Sequence, residues 1–142
     1  MCNSGVSSGW ELHPQLARDT IAIGDLTLSR VLLMADANYP WLLLVPRRSG
    51  LVELLDLDEA DRAQLMSEIT HASRGLKAVT LCDKLNIAAI GNIVSQLHIH
   101  IVARRRTDSA WPKPVWGLPS RVYDPADLDR LVNALHRELV AD

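Results

Sequence analysis

The chain of 142 residues has only two cysteines, Cys2 and Cys82, and they form no CxxC pair, which excludes an internal disulfide framework of the secreted kind. A reducing, cytoplasmic setting is the expectation. The chain also lacks an excess of either charge: 15 Lys and Arg stand against 17 Asp and Glu, a formal net charge of −2. No broad positive field is available for a nucleic acid backbone, although a mononucleotide needs only a local site. Long hydrophobic runs are missing as well. WLLLV at 41–45 is too short to cross a bilayer as a helix, so no membrane partner is expected. The opening MCNSGVSSGWELHPQL has no basic, apolar and small-residue progression, so a secretory signal is not expected. Nor does Cys2 read as a lipid-anchor site, because no apolar segment precedes it. Internal repeats and low-complexity tracts are absent. What remains is 48% apolar and 23% charged, a globular composition. The length suits one domain over residues 1–142, able to bury roughly 70% of its unfolded surface.

Along the chain, TIAIGDLTLSRVLLM (20–34) alternates through Ile21, Ile23, Leu26 and Leu28 and predicts a hairpin joined at Gly24-Asp25. ADANYP (35–40) is turn chemistry, and WLLLVP (41–46) suits a buried strand. From Asp58 to about Val79, Leu65, Ile69, Ala72, Leu76 and Val79 recur at helical spacing. Asp58 is placed to cap that helix, and Glu59 and Asp61 favour its dipole. A strand over Leu85 to Ala88, a bend at Gly91-Asn92 and a strand from Ser95 to Ala103 follow. Residues 104–120 form a proline-punctuated loop. Asp124-Pro125 then opens a C-terminal helix, about 125–140, with Leu128, Leu131, Val132, Leu135 and Leu139 on one stripe. The early strands are joined by turns too short for parallel crossovers, so the expected class is α+β with a mostly antiparallel sheet.

Within the strand from Ser95, alternation aims Gln96, His98 and His100 at one face and Leu97, Ile99 and Ile101 at the other. Two histidines in this arrangement have several uses. They can be partly exposed or satisfied by backbone carbonyls. They can converge on a metal, but no third ligand is evident from His13, His71 or His136, and glutamine is a poor zinc ligand, so no metal is expected. Or they can act at phosphorus: a neutral imidazole attacks without a separate base, its other nitrogen fixes the tautomer, and a neighbouring imidazole can donate to a phosphate oxygen. Spacing alone does not choose among them.

The run Gln96-Leu97-His98-Ile99-His100-Ile101-Val102 resembles the histidine-triad (HIT) family of nucleotidyl hydrolases and transferases, whose signature is HφHφHφφ with φ apolar. The similarity extends to Asn86 and Gly91-Asn92 upstream, to DANYPWLLLVP with its following helix, and to WPKPVWG downstream, from about residue 20 to residue 117. The resemblance implies a five-stranded antiparallel sheet with a long central helix and a C-terminal helix, paired as a homodimer that extends the sheet. It implies a nucleotide substrate attacked at its α-phosphate through a nucleotidyl-histidine, with His98 as nucleophile and His100 on the phosphate. Gly91, Asn92 and Asn86 would lie near that phosphate, Asp36 would hold the ribose hydroxyls, and Leu33 would form a wall for the base. No cofactor is implied.

The sequence departs from the pattern at Gln96, which replaces the first histidine and leaves an amide to orient the nucleophile. Ile93 stands where many members have Ser or Thr, and Trp41 where several branches carry a further histidine. These losses keep open an alternative, a nucleotide-binding protein with little or no turnover. Trp111 and Trp116 either stack on a base or pack structurally. Arg104, Arg105 and Arg106 read as a solvated strand end rather than a phosphate clamp, as do Arg47 and Arg48. His13, His71 and His136 read as structural or surface residues.

Overall fold

Capping and apolar periodicity set the helices of the computed structural model, which describes residues 9–140. The readings of Cys2 and of the first eight residues fall outside the described residues. Helix α2, Glu59–Thr80, starts where the Asp58 carboxylate accepts the Asp61 N–H at 2.8 Å, with Glu59 and Asp61 in its first turn. It buries Leu65, Ile69, Ala72 and Leu76, and ends at Leu81 in a left-handed conformation, φ 52° and ψ 39°. Helix α3, Pro125–Leu139, is capped by Asp124, which accepts the N–H groups of Ala126 and Asp127. The two helices cross closely at Gly75, where an added Cβ would meet Leu139 Cδ2 at 2.2 Å. Only a glycine permits that approach.

The strands are β1 (Thr20–Asp25), β2 (Ser29–Met34), β3 (Trp41–Pro46), β4 (Lys84–Ala88) and β5 (Ile99–Arg104). They form one antiparallel sheet in the order β1-β2-β3-β5-β4. The expected α+β class and five-stranded sheet are therefore found. Register assigns the two faces. Leu33, Leu42, Ile101 and Ile87 oppose one another across the sheet, and Leu33, Leu42 and Ile101 belong to the core shared with α2 and α3. Leu32, Leu43, His100 and Ala88 form the neighbouring row on the other face. That face is covered at one end by helix α1 (Pro14–Asp19), whose Leu16 packs with Leu32, Leu43, Val45 and Val94. At the other end Tyr39, Trp41 and Val102 pack with Ala110 and Val115 of the proline-rich loop. Between the two covers lies a cavity bordered by Leu43 and His100.

Several local expectations need correction. The hairpin does not turn at Gly24-Asp25: β1 continues through both, with a register shift between Ala22 and Gly24, and the chain turns over Leu26 to Leu28. Side chains from distant elements impose that turn. Glu68 of α2 accepts the N–H groups of Leu28 and Ser29, each at 2.8 Å, while the Arg47 guanidinium donates to the carbonyls of Leu26, Thr27 and Leu28. Arg47 is thus a buried structural residue, not a solvated one, and Arg48 pairs with Asp61 at 3.0 Å. Helix α1 escapes sequence reading because six residues are too few for periodicity; the His13 ring caps it and Pro14 opens it.

Arg104 is corrected too. It is 1% exposed, and a guanidinium so far from water must be saturated with partners. Asp108 takes it bidentately at 2.7 and 3.0 Å, Asn86 Oδ1 accepts at 2.8 Å, and the rings of Tyr39 and Trp111 lie 5.5 and 5.4 Å away. Arg105 and Arg106 are exposed, as a solvated strand end requires.

Candidate active site

Strand β5 opens at Ile99 rather than near Ser95, so Gln96 and His98 precede it in irregular backbone. The expected shared face therefore holds for His98 and His100, which line one cavity, and fails for Gln96. Alternation needs a strand, and at 96 there is none. The Gln96 side chain reaches instead to the segment before α1, with Oε1 accepting the His13 N–H at 2.9 Å and Nε2 donating to the Glu11 carbonyl at 2.8 Å. The backbone carbonyl of Gln96 does meet the His98 ring, 2.6 Å from Nδ1. A carbonyl only accepts, so neutral His98 carries its proton on Nδ1 and leaves the lone pair on Nε2.

His100 lies beside it, with ring centroids 4.8 Å apart at an interplanar angle of 70°. Trp41 of β3 donates its indole N–H to His100 Nδ1 at 3.0 Å. Because indole only donates, Nδ1 must be unprotonated and Nε2 must carry the hydrogen, which points to the Ile90 carbonyl at 3.4 Å. Burial, followed by the neighbouring His98, pushes the pKa of His100 down to about 4 against the opposing pull of Ile90. His100 is therefore a neutral hydrogen-bond donor at physiological pH. Trp116 closes on the same ring, edge to face at 5.0 Å, and on Trp41 at 5.7 Å.

These rings line a cavity of about 440 Å³ with Leu16 and Asp19 of α1, Met34, Leu43 and Ile93. A second cavity, about 450 Å³, also reaches His98 and is bounded by Val52 to Leu55, Gly91, Asn92 and Ser95. His98 is thus common to two neighbouring hollows. Gly91 is held tightly there: a Cβ would lie 2.9 Å from the Val94 carbonyl oxygen. Asn92 lines both hollows, so both residues of the Gly91-Asn92 bend stand near His98.

Other predicted residues are elsewhere. Leu33 faces the helix-side core at 0% exposure, because its register places it on the opposite face from His100; Met34 and Leu43 are the apolar residues on the cavity side. Asn86 projects to Arg104 rather than to the histidines. Asp36 borders an adjoining hollow of about 390 Å³, and its carboxylate accepts the N–H groups of Asn38 and Arg121 at 3.0 and 3.2 Å. Trp111 packs on Arg104, so of the two loop tryptophans only Trp116 reaches the histidine cavity. The α1 wall was not anticipated. Its one signal is Pro14 ahead of a short polar and apolar stretch.

Among the described residues, no group of three or more His, Cys, Asp and Glu side chains could hold a metal ion. His13 caps α1, while His71 and His136 contact the carbonyls of Leu139 and Ile23, each at 2.8 Å, and so fasten α3. None belongs to the site. What the site can do follows from its paired imidazoles. One offers a lone pair fixed by a backbone carbonyl, and the other offers a fixed N–H beside it.

A family profile for the HIT domain matches residues 15–107. The fold is similar to the crystal structure of a histidine triad protein from Bradyrhizobium japonicum, 58% identical, with a TM-score of 0.90 over 92% of this chain and 98% of that one. It is also similar to a histidine triad protein from Marinobacter aquaeolei, 40% identical, TM-score 0.88, covering 92% of this chain and 96% of that one. One from Sinorhizobium meliloti is 39% identical, TM-score 0.89, covering 93% and 98%. A search of curated proteins gave no match. With its paired imidazoles at the start of β5, its fold and these relatives, the chain belongs to the histidine-triad family of nucleotide-binding hydrolases and transferases.

Proposed function

We propose that this protein cleaves a nucleotide at its α-phosphate through a nucleotidyl-histidine on His98. The observation that carries this reading is the His98 ring, whose Nδ1 is held 2.6 Å from the Gln96 carbonyl while the ring borders two cavities. The nucleoside half occupies the cavity walled by Met34, Leu43 and Trp116, and the leaving group occupies the hollow beside Ser95. His98 Nε2 attacks phosphorus and the bond to the leaving group breaks, giving a phosphorus–nitrogen bond; water then attacks phosphorus and releases the monophosphate and free His98. His100 turns its Nε2–H from the Ile90 carbonyl, 3.4 Å away, to a non-bridging oxygen as charge gathers there, and the Gly91-Asn92 bend supplies further donors. No cofactor enters. Substrates presenting this half include nucleoside phosphoramidates and dinucleoside polyphosphates.

The test is turnover of a fluorogenic nucleoside phosphoramidate, with mass spectrometry of quenched enzyme for a nucleotidylated peptide containing His98. His98→Ala is expected to lower the rate by at least about a thousandfold. Unchanged turnover in that variant overturns the assignment. A nucleotide bound without cleavage supports the alternative of a binding protein, a reading favoured by Ile93, which is 95% exposed at the cavity and has no hydroxyl to offer.

We also propose a two-fold homodimer that extends the sheet through β4. This strand is at the sheet edge, and beside it Ile87 with Leu54 and Met66 line an apolar groove of about 320 Å³. A monomeric sedimentation coefficient at micromolar concentration would overturn the dimer. Cysteine usage favours a cytoplasmic location.

A further inference from the structure

We propose that Gln96, rather than orienting the nucleophile as the triad position suggests, is a positioning residue that latches the α1 wall over the nucleoside side of the site. This inference rests on the proposed function for its consequence in binding, but its geometry is independent of it. The His98 ring has its partner in a backbone carbonyl, 2.6 Å from Nδ1, and so does not require the side chain at 96 for its orientation. The amide meanwhile uses both of its functions on one distant segment. Oε1 accepts from His13 N at 2.9 Å and Nε2 donates to Glu11 O at 2.8 Å, across 83 and 85 residues of sequence.

The segment so held is the start of the cavity wall. His13 caps α1 with its ring while its backbone N–H enters the latch, so the bond to Gln96 fixes the point from which the helix leaves. Two turns at most follow, and they carry Gln15, Leu16 and Asp19 to the cavity edge beside His98 and His100. A helix this short has little stability of its own and depends on its tethers. The apolar tether is Leu16, with Trp10 and Leu12, on Leu32, Leu43 and Val94. Gln96 supplies the polar one. Because a glutamine amide both accepts and donates, it can grip an N–H and a C=O of the same segment together; a carboxylate in its place accepts but cannot donate.

Gln96→Glu and Gln96→Ala test the latch, with two readouts. Hydrogen exchange of residues 10–19 in the ligand-free protein is expected to accelerate in both variants, while that of β5 is unchanged. For the phosphoramidate, KM is expected to rise roughly threefold to tenfold with kcat within about twofold, the range for loss of one or two such hydrogen bonds. Exchange of 10–19 unaltered in both variants overturns the latch. A fall in kcat of about a hundredfold at constant KM also overturns it, because the side chain would then be acting on the nucleophile. If wild-type protein neither binds nor cleaves nucleotide, the proposed function falls, and the exchange comparison alone decides the latch.

Discussion

His100 makes stability depend on pH in a way that can be worked out from its surroundings. Its pKa is lowered from 6.5 to about 4, first by burial and then by His98. The unfolded chain therefore binds a proton on this ring more readily than the folded chain does. As pH falls through the window from about 6.5 to about 4, unfolding takes up that proton and stability declines; above the window no such loss is present. At about 1.4 kcal/mol for each pH unit of that window, the whole effect is about 3 kcal/mol, a large share of a typical domain's stability. His100→Gln removes the group. Urea unfolding followed by tryptophan fluorescence, at several pH values from 7 to 4, gives the two curves. Both proteins retain the other histidines, so the difference in slope reports this ring together with its coupling to His98. Wild type is expected to lose about 3 kcal/mol more than the variant between the ends of the range. Curves parallel to within about 0.5 kcal/mol would refute the reasoning, because they would mean the buried ring is protonated as easily as in the unfolded chain.

Two further outcomes follow from single contacts. Trp41→Phe leaves His100 Nδ1 without its donor; a loss of about 1–3 kcal/mol in denaturant unfolding is expected, with nitrogen NMR showing His100 no longer confined to the Nε2–H tautomer. Glu68→Gln turns one of two acceptors toward a backbone N–H as a donor, so thermal unfolding should fall by the equivalent of about 2–3 kcal/mol, and the turn over 26–28 should lose protection from hydrogen exchange.

Regular, locally determined features were the legible ones. Asp58 and Asp124 announce their helices because a cap is a contact between neighbours in sequence, and the stripe from Leu65 to Leu76 matches the buried face of α2. WLLLVP is buried throughout as a central strand. The turn over Leu26 to Leu28 is hidden from local sequence because its hydrogen-bond partners, Glu68 and Arg47, lie on later elements. Arg104 looked solvated because nothing local predicts that Asn86, Asp108 and two rings converge on it. At the site, the pair His98 and His100 was readable from a short pattern. Leu33 was not, since a single step of register exchanges one face of a sheet for the other. The Trp41 contact needs the pairing of β3 with β5, which puts Trp41 opposite Val102, two residues from His100 on the same face.

The carbonyl behind His98 has a consequence for how such chains are found. Every amino acid brings a peptide oxygen, so the aim of this imidazole is written in the path of the main chain and survives whatever side group occupies position 96. A search string that insists on three imidazoles would therefore discard molecules whose attacking ring is still held in line, and the letter it rejects is free to take up other work.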